Sequence, residues 1–255
     1  MQSRFTKFVC IAALVIPALA IPAVAQAQMT QTANGYLFRL QSAAGKKLDF
    51  VMMLSQHIEM PNIPGMPANM RNMPNMSLSL PVQEVITAVH GDVLTVSMNG
   101  KVIGKARTMM MKMKNDGETF GGSVLGMPDM SFGDIFAHLI QIGHTYSVPF
   151  STKSAPGSSF PMTGVNKIKF VGFTVYHGIR SARFDVIITS SSSLQPGHPG
   201  VETTIVHGSG ALLISVADGW PERIKMITTS RTIGNQVGLG AGMPTMTMTM
   251  TMTRK

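Results

Sequence analysis

Methionine is the residue type in this chain whose number and spacing could carry chemistry. The sequence holds 23 methionines, and most of them fall into three clusters. The clusters comprise Met60, Met66, Met70, Met73 and Met76; Met109, Met110, Met111 and Met113; and Met243, Met246, Met248, Met250 and Met252. Because thioether sulfur is a soft ligand, converging methionines could hold Cu(I) or Ag(I). Methionine is also a flexible apolar side chain that fills cores and adaptable binding faces, so each cluster has an apolar interpretation as well.

The first cluster lies in a segment whose composition forbids regular secondary structure. Four prolines and one glycine interrupt residues 60–76, and proline cannot continue a helix or a central strand. We predict a loop whose methionines form an apolar flap over a bound ligand. The candidate ligand-binding residues are therefore Met60, Met66, Met70, Met73 and Met76. A copper or silver site that includes His57 is the alternative, but the cluster itself contains no histidine or cysteine, so we predict no metal site and no cofactor.

The C-terminal cluster has a different pattern. Methionine and threonine alternate without exception from Met246 to Met252. Strict alternation is the period of a β-strand, so the methionines should share one face and the threonines the other. Burial of one face is sufficient to produce this period, and we therefore interpret these methionines as core residues.

Candidate catalytic residues are few, and none has the surroundings that catalysis requires. The close pairs of acid, base or histidine residues are His57 with Glu59 and His138 with His144. Neither pair has metal-ligand spacing on a shared helix face. Residues 238–242 are glycine-rich, but no helix pattern follows them as a nucleotide-binding loop requires. Ser209 lies between two glycines without the strand, sharp turn and helix of a hydrolase nucleophile. We predict no catalytic residues and a protein that is not an enzyme.

The N-terminus has the pattern of a secretory leader. Arg4 and Lys7 precede an apolar run, and small residues follow it. This order is typical of a signal peptide, so we assign residues 1–27 to a signal peptide and residues 28–255 to one β-rich extracytoplasmic domain. The single cysteine, Cys10, lies inside the leader, which leaves the mature chain without thiol chemistry. The predicted location is the periplasm or the extracellular space.

The composition restricts the class of partner. Charged residues make up 13% of the chain, against roughly 25% in typical domains, so uncharged polar residues must cover much of the surface. The formal net charge is +9, and the basic residues are spread along the chain. They are not interleaved with aromatic residues, so we predict no nucleic-acid partner and name an anionic cell-envelope surface as a candidate partner. No segment after the leader reaches the about 20 apolar residues of a spanning helix, so no transmembrane segment is predicted.

Residues 165–232 contain the clearest strand signals. Apolar and polar residues alternate there between glycine-containing turns. This pattern predicts two successive hairpins, with a β-bulge at Gly172 and a tight turn at Asp218-Gly219. Further strands are predicted over residues 36–40, 47–59, 78–89 and 93–103, with turns at residues 90–92 and 98–101. One short helix is predicted over residues 135–141. The predicted fold is mainly β: a single antiparallel curved sheet, half-barrel or sandwich-like, with one short helix.

Several segments together carry a resemblance to known proteins. They are Tyr36-Leu37-Phe38-Arg39, the methionine-rich strands after it, His144-Thr145-Tyr146, and residues 213–219. With these segments the chain resembles secreted bacterial β-rich proteins and, more distantly, the half-barrel carriers of lipids and lipoproteins. The resemblance implies a concave apolar sheet face that holds a lipid-like ligand, with a short helix as a lid.

The function predicted from these observations is a non-catalytic extracytoplasmic binding or envelope-associated protein with an apolar, lipid-like binding face. The alternative is a periplasmic methionine-rich protein that binds copper or silver. The two differ in whether the loop methionines lie against the sheet as apolar groups or direct their sulfur atoms toward a metal.

Overall fold

The computed structural model describes residues 26–41, 43–60, 74–102, 105–114, 119–120, 138–152, 162–193, 203–233 and 245–255. Every element within these ranges is a β-strand. In chain order the strands are β1 (Gln26–Thr32), β2 (Gly35–Gln41), β3 (Lys47–Glu59), β4 (Met76–His90), β5 (Val93–Val102), β6 (Lys105–Lys114), β7 (Thr119–Phe120), β8 (Thr145–Thr152), β9 (Met162–Tyr176), β10 (Ile179–Ser193), β11 (Thr203–Ser215), β12 (Pro221–Ile233) and β13 (Thr245–Arg254). The predicted mainly β class is confirmed.

Eleven of these strands form one antiparallel sheet in the order β7-β6-β5-β4-β3-β13-β12-β11-β10-β9-β8. The strands on each side of β13 follow chain order, so the sheet consists of two meanders joined where β13 pairs with β3. Among the described strands, the sheet does not close into a barrel, because β7 and β8 at its two ends do not pair with each other. Strands β1 and β2 form a separate two-stranded sheet. The large antiparallel sheet is therefore confirmed, whereas the prediction of one single sheet is wrong because this hairpin stands apart.

The bulge predicted at Gly172 is present. In the pairing of β9 with β10, Arg183 lies opposite Gly172 and Phe184 lies opposite Phe170, so the register shifts by one residue. Gly172 has a φ of 132°, a backbone conformation that other residues rarely adopt. This shift explains why the alternation of apolar residues changes phase there.

The tight turns also follow from local residue chemistry. His177 and Gly178 have φ angles of 48° and 78°, as a two-residue hairpin turn requires. In the turn between β11 and β12, Gly219 has a φ of 71°. There the side chain of Asp218 accepts a hydrogen bond from the backbone N–H of Trp220 at 3.1 Å. The turn predicted at Asp218-Gly219 is confirmed.

One face of the large sheet is buried, and we call it the core face. It is formed by alternate residues of each strand, as the pleat requires. Phe38 of β2 lies across this face, with its ring centroid 5.9 Å from that of Phe170 and 5.7 Å from that of Phe184. The β1–β2 hairpin therefore covers the core face of β9 and β10 at Phe170 and Phe184.

Strand β13 crosses the middle of the core face. Met248, Met250 and Met252 are buried, and Met246 is half-buried. The intervening threonines are half-buried on the opposite face. The interpretation of the alternating methionines as core residues is therefore confirmed for the three that are buried.

The short helix predicted over residues 135–141 is not shown. Residues 135–137 lie outside the described ranges, and residues 138–141 contain a β-bridge instead. The backbone N–H groups of Ile140 and Tyr36 each donate to the other residue's carbonyl oxygen at 2.8 Å. Ile140 is fully buried, so a contact with β2 overrides the local helix signal. Within the described ranges, no helix is long and apolar enough to cross a membrane.

The turn predicted at residues 98–101 is also wrong, whereas the one at residues 90–92 is present. Strand β5 continues through Gly100, which pairs with Val82 of β4 and with Arg107 of β6. Because backbone pairing on both sides satisfies this segment, the local Asn-Gly turn signal does not decide its structure.

Candidate ligand-binding site

Burial on the core face decreases along strand β3. Leu48, Phe50 and Met52, near the start of the strand, are buried. Leu54 and Ile58, farther along on the same face, are only half-buried. The core face is therefore more accessible toward the C-terminal end of β3.

Strand β4 runs antiparallel to β3 and shows the same decrease at its neighbouring end. Val82 and Ile86 are buried, and Leu80 is half-buried. Leu78 is 43% exposed and Met76 is 49% exposed. Both strands therefore leave apolar side chains accessible at the same end of the sheet.

These accessible side chains form one contiguous group, which we call the apolar patch. It consists of Leu54, Ile58, Met76, Leu78, Leu80 and Met246. Leu54 lies opposite Leu78, and Ile58 lies opposite Met246 of β13. Residues directly opposite in an antiparallel pair have Cβ atoms about 5 Å apart, so these side chains are neighbours. The patch thus continues the core across three strands.

Two polar contacts lie at this end of the sheet. Gln56, on the core face among the patch residues, donates from Nε2 to the sulfur of Met246 at 3.1 Å. His57, on the outer face, donates from Nδ1 to the amide oxygen of Asn75 at 2.7 Å. The first contact directs the Met246 thioether toward Gln56.

The methionines predicted to bind a ligand lie only partly in the described residues. Met66, Met70 and Met73 lie outside them, so the flap stays a prediction. Met60 directly follows β3 and is half-buried. Met76 begins β4 and belongs to the apolar patch.

The structure brings the first and third methionine clusters together. Gln56 lies opposite Met76 of β4 on one side and opposite Met248 of β13 on the other. Met246 contacts Gln56 directly, although 190 positions separate the two in the sequence. The sequence alone leaves the two clusters separate, because no local pattern in it indicates that β3 pairs with β13.

Sequence reasoning also misses two buried polar side chains on the core face. Asn166 of β9 is 2% exposed and Ser190 of β10 is 4% exposed. Neither Asn166 Oδ1 nor Ser190 Oγ has a hydrogen-bond partner. Both belong to an alternation of buried apolar residues: Ile168 is two residues after Asn166, and Ile188 is two residues before Ser190. Strand parity could therefore have identified them.

The other end of the core face carries a group of charged side chains, which we call the charged cluster. Arg254 contacts Asp218 and Glu222 through different nitrogen atoms, each at 2.8 Å. Lys46 lies 3.5 Å from Asp218, and its ammonium is 5.3 Å from the centroid of the Trp220 ring. These contacts tie the segment before β3 to the β11–β12 turn and to the end of β13.

The two carboxylates of the charged cluster are shifted in opposite directions. Burial acts to raise the pKa of Asp218, but the hydrogen bond and charge of Arg254 and the backbone N–H of Trp220 outweigh it and hold the pKa below its ordinary value. Burial raises the pKa of Glu222, with a further contribution from the charge of Asp218, and Arg254 only partly offsets it. Arg254 therefore outweighs the effect of burial at Asp218 but not at Glu222.

The residues considered for catalysis lie partly within the described ranges. Within those ranges, no group of three or more His, Cys, Asp or Glu side chains is arranged to hold a metal ion. The ring of His144 lies 5.2 Å from that of Tyr146. Ser209 faces outward, between Ile187 and Ile227 of the neighbouring strands. Residues 238–242 lie outside the described residues.

No protein-family model matches the chain, and no curated protein matches it. The assignment of function therefore rests on the core face, with its apolar patch, its charged cluster and its buried polar side chains.

Proposed function

We propose that this protein is a non-catalytic extracytoplasmic binding protein with an apolar, lipid-like ligand. In this proposal the large sheet curves as a half-barrel, and the ligand lies on the core face against the apolar patch. The observation that carries the proposal is the patch itself, because its side chains continue the core across three strands and yet stay half-buried or exposed. Contiguous accessible apolar surface favours a binding site.

Apolar residues exposed on the outer face are arranged differently. Ile187 lies between Lys167 and Ser209, and Ile227 lies between Ser209 and Thr249. Each of these two residues is separated from other apolar residues by polar neighbours, which is ordinary for a protein surface. The patch differs because most of its members face apolar residues across the strands: Leu54 faces Leu78, Leu80 faces Met52, and Ile58 faces Met246.

Two glycines on the core face support a curved sheet. A Cβ on Gly210 would collide with the backbone carbonyl of Lys225 and the sulfur of Met226. A Cβ on Gly164 would lie 2.7 Å from the ring of Phe150. Neighbouring groups therefore approach this side of the sheet more closely than any larger residue would allow. Glycine has this role at the tight bends of barrel strands.

Basic side chains on the outer face support a location near an anionic surface. Lys167, Lys169 and Lys225 are exposed on that face, in a chain of net charge +9. Together with the predicted signal peptide, these charges favour an extracytoplasmic protein whose outer face contacts the cell envelope. The core face then stays available for the ligand.

Binding of the neutral apolar fluorophore N-phenyl-1-naphthylamine tests the proposed ligand class. Leu78→Asp places a charge in the patch at an exposed position, so the variant should fold but bind the probe at least about tenfold more weakly, because the charge would be desolvated by the ligand. Ile187→Asp, at an exposed apolar position of the outer face, is the matched control and should bind like the native protein. Failure of the native protein to bind the probe would refute the proposal, and an equal loss in both variants would refute the patch as its site.

Export by a bacterial host tests the proposed location. The mature protein should begin at Gln26 or Gln28, since either follows the small residues of a signal-peptidase site. Mass analysis of the protein recovered outside the cytoplasm gives the answer. An exported chain that retains Met1 would contradict the assignment of residues 1–27.

A soft monovalent metal is the second candidate ligand. It is favoured by the arrangement of Met76, Met246 and Met248 around Gln56, which the pairing of β3 with β4 and β13 produces. Thioether sulfurs suit Cu(I) and Ag(I), and suit hard cations poorly. In this alternative, the patch methionines act through their sulfur atoms and the patch leucines only pack around them.

Competition for Cu(I) with a chelator separates the two candidates. Met76→Leu combined with Met246→Leu preserves apolar volume but removes two sulfur donors. If the ligand is apolar, both proteins bind Cu(I) weakly and the double variant binds the fluorophore like the native protein. Tight Cu(I) binding that only the native protein shows would replace the first proposal by the second.

A further inference from the structure

Asn166 and Ser190 place unpaired polar atoms inside the core face. Asn166 Oδ1 and Ser190 Oγ have no hydrogen-bond partner, and both residues are more than nine-tenths buried. Leaving such groups unpaired destabilises a folded protein, and they are accordingly rare. A polar group supplied by a ligand would satisfy both atoms.

The two residues are close enough for one small group to reach both. Asn166 lies opposite Ile188, and Ser190 follows two residues later on the same face of β10. Diagonal neighbours of this kind have Cβ atoms roughly 6–8 Å apart, which leaves room for one bridging oxygen between the side-chain tips. Val148 lies opposite Asn166 on β8, so the surroundings are apolar.

The hydrogen-bonding capacity of these two atoms determines which polar group of a ligand can pair with both. Asn166 Oδ1 only accepts hydrogen bonds, whereas Ser190 Oγ can both donate and accept. A hydroxyl group satisfies both, because it can donate to Asn166 Oδ1 while accepting from the Ser190 hydroxyl. A carboxylate, a phosphate or an ester offers acceptors alone. Lys167 and Lys169, the cations next in sequence, lie on the outer face and would not compensate an anion.

Asn166 and Ser190, which we call the polar pair, lie at the same level of the sheet as the apolar patch. Successive cross-strand partners on the core face run from Asn166 through Ile188, Gly208, Thr228 and Met248 to Gln56. Five strand spacings of about 4.8 Å give roughly 24 Å along the sheet, and a curved sheet shortens this distance. A long alkyl chain can therefore contact the patch while its polar end lies between Asn166 and Ser190.

From these observations we infer that Asn166 and Ser190 recognise the hydroxyl group of a neutral, long-chain amphiphile bound to the core face. The inference rests on the proposed function and adds to it the class of ligand: a hydroxyl-bearing lipid rather than a fatty acid, an ester or a phospholipid. The apolar patch contributes affinity for the chain, and the polar pair contributes selectivity for its end.

Displacement of N-phenyl-1-naphthylamine by three ligands with the same alkyl chain length tests the inference. The ligands are dodecanol, methyl dodecanoate and dodecanoate. The full-length native protein should bind dodecanol about tenfold more tightly than methyl dodecanoate, because only the alcohol pairs with Asn166 Oδ1. Equal affinities, or a preference for dodecanoate, would overturn the inference while leaving the proposed function intact. Absence of fluorophore binding would overturn both.

Variants then locate the selectivity. Asn166→Leu should reduce the preference for dodecanol to less than about twofold while preserving methyl dodecanoate binding, since it removes the acceptor and keeps apolar volume. It should also raise the urea midpoint of unfolding, because an unpaired buried polar atom is lost. Ser190→Ala, which changes less volume, should lower the preference partly. Thr228→Val, at a buried position of the same level, is the control and should keep it. A preference that survives in Asn166→Leu and Ser190→Ala would overturn the assignment to this pair.

Discussion

The two ends of the core face differ in the contacts that their side chains make. At the end that holds the charged cluster, Arg254 pairs with Asp218 and Glu222, and Lys46 lies over Trp220. At the end that holds the apolar patch, burial falls from Met52 to Leu78 and no described charge enters the face. Specific contacts between distant segments stabilise one end, whereas the described apolar side chains at the other end are half-buried or exposed.

This difference separates the end of the core face that internal contacts stabilise from the end where the proposed ligand would bind. Contacts of the charged cluster join segments that are far apart in sequence, so they fix the turn between β11 and β12 and the end of β13. Leu54, Leu80 and Met246 of the patch pack against the buried core, but none of them is fully buried. Met76 and Leu78 are exposed, so folding does not depend on burying the patch fully. Stability should therefore respond strongly to changes in the core and the charged cluster and weakly to changes in the patch.

The largest expected effect compares the same substitution in two regions. Met248 is buried, whereas Met76 is 49% exposed on the same face. Met248→Asp should lower the free energy of unfolding by about 3–5 kcal/mol, because it places an unpaired charge in the core. Met76→Asp and the outward-facing Thr249→Asp should each change it by less than about 1 kcal/mol. Urea unfolding measures all three, and equal midpoints would contradict the core assignment.

A second comparison uses two arginine–carboxylate pairs. Arg254 is mostly buried with Asp218 and Glu222, whereas Arg183 and Asp185 form a solvent-exposed pair at 3.2 Å. Arg254→Ala should lower the free energy of unfolding by about 2–3 kcal/mol, since two partly buried carboxylates lose their partner. Arg183→Ala should lower it by less than about 1 kcal/mol. If both variants unfold alike in urea, the charged cluster does not fasten its end of the sheet.

A smaller effect should appear in the pH dependence of stability. The pKa of Glu222 is raised above its ordinary value of 4.5, chiefly by burial. Its contribution to stability is therefore fully present below about pH 4.5 and is lost as the pH rises through the folded-state pKa. Glu222→Gln cannot ionise, so its stability relative to the native protein should increase as the pH rises from about 4 to about 7.

The pKa of Asp218 is shifted in the opposite direction, so a variant at this position should show the opposite pH dependence of stability. Its pKa is held below its ordinary value of 3.8, so its contribution is present above that pH and is lost as the pH falls through the folded-state pKa. Asp218→Asn should lose stability relative to the native protein as the pH rises from below the folded-state pKa of Asp218 to above 3.8. Urea unfolding at a series of pH values tests both variants, and parallel curves for native protein and Glu222→Gln would contradict the burial of Glu222.

Local patterns predicted much of the fold. Strand β3 spans the predicted residues 47–59, and the bulge at Gly172 and the turn at Asp218-Gly219 are where alternation and glycine place them. These features are predictable because their causes, the two-residue period and the positive φ, lie within a few residues. The buried positions of β13 follow from the same period.

Features that depend on distant partners could not be predicted in this way. The pairing of β13 with β3 joins the two meanders and unites two methionine clusters, but no local pattern encodes the choice of partner strand. The segment at Ile140 has helix signals, yet it pairs with Tyr36. For the candidate site, the methionine cluster predicts Met76, which stays a prediction. Asn166 and Ser190 were not predicted, although they interrupt a buried alternation that the sequence displays.

The smallest expected effect concerns the patch itself. Leu78→Ala should change the free energy of unfolding by less than about 1 kcal/mol, because its side chain is 43% exposed. Leu212→Ala, the same substitution at a buried position of β11, should cost about 2–5 kcal/mol by leaving a cavity. Leu80→Ala, which is half-buried, should fall between them.

A second measurement on the same variants tests whether the decrease in burial along β4 marks the proposed ligand site. With saturating N-phenyl-1-naphthylamine, a ligand bound at the patch stabilises the native protein, because it binds only the folded state. Leu78→Ala should lose part of this added stability despite its nearly unchanged unfolding in the absence of ligand. Leu212→Ala should keep the added stability in full. If Leu78→Ala instead retains it and is itself strongly destabilised, the patch belongs to the core and the two ends of the face do not differ in the way their burial indicates.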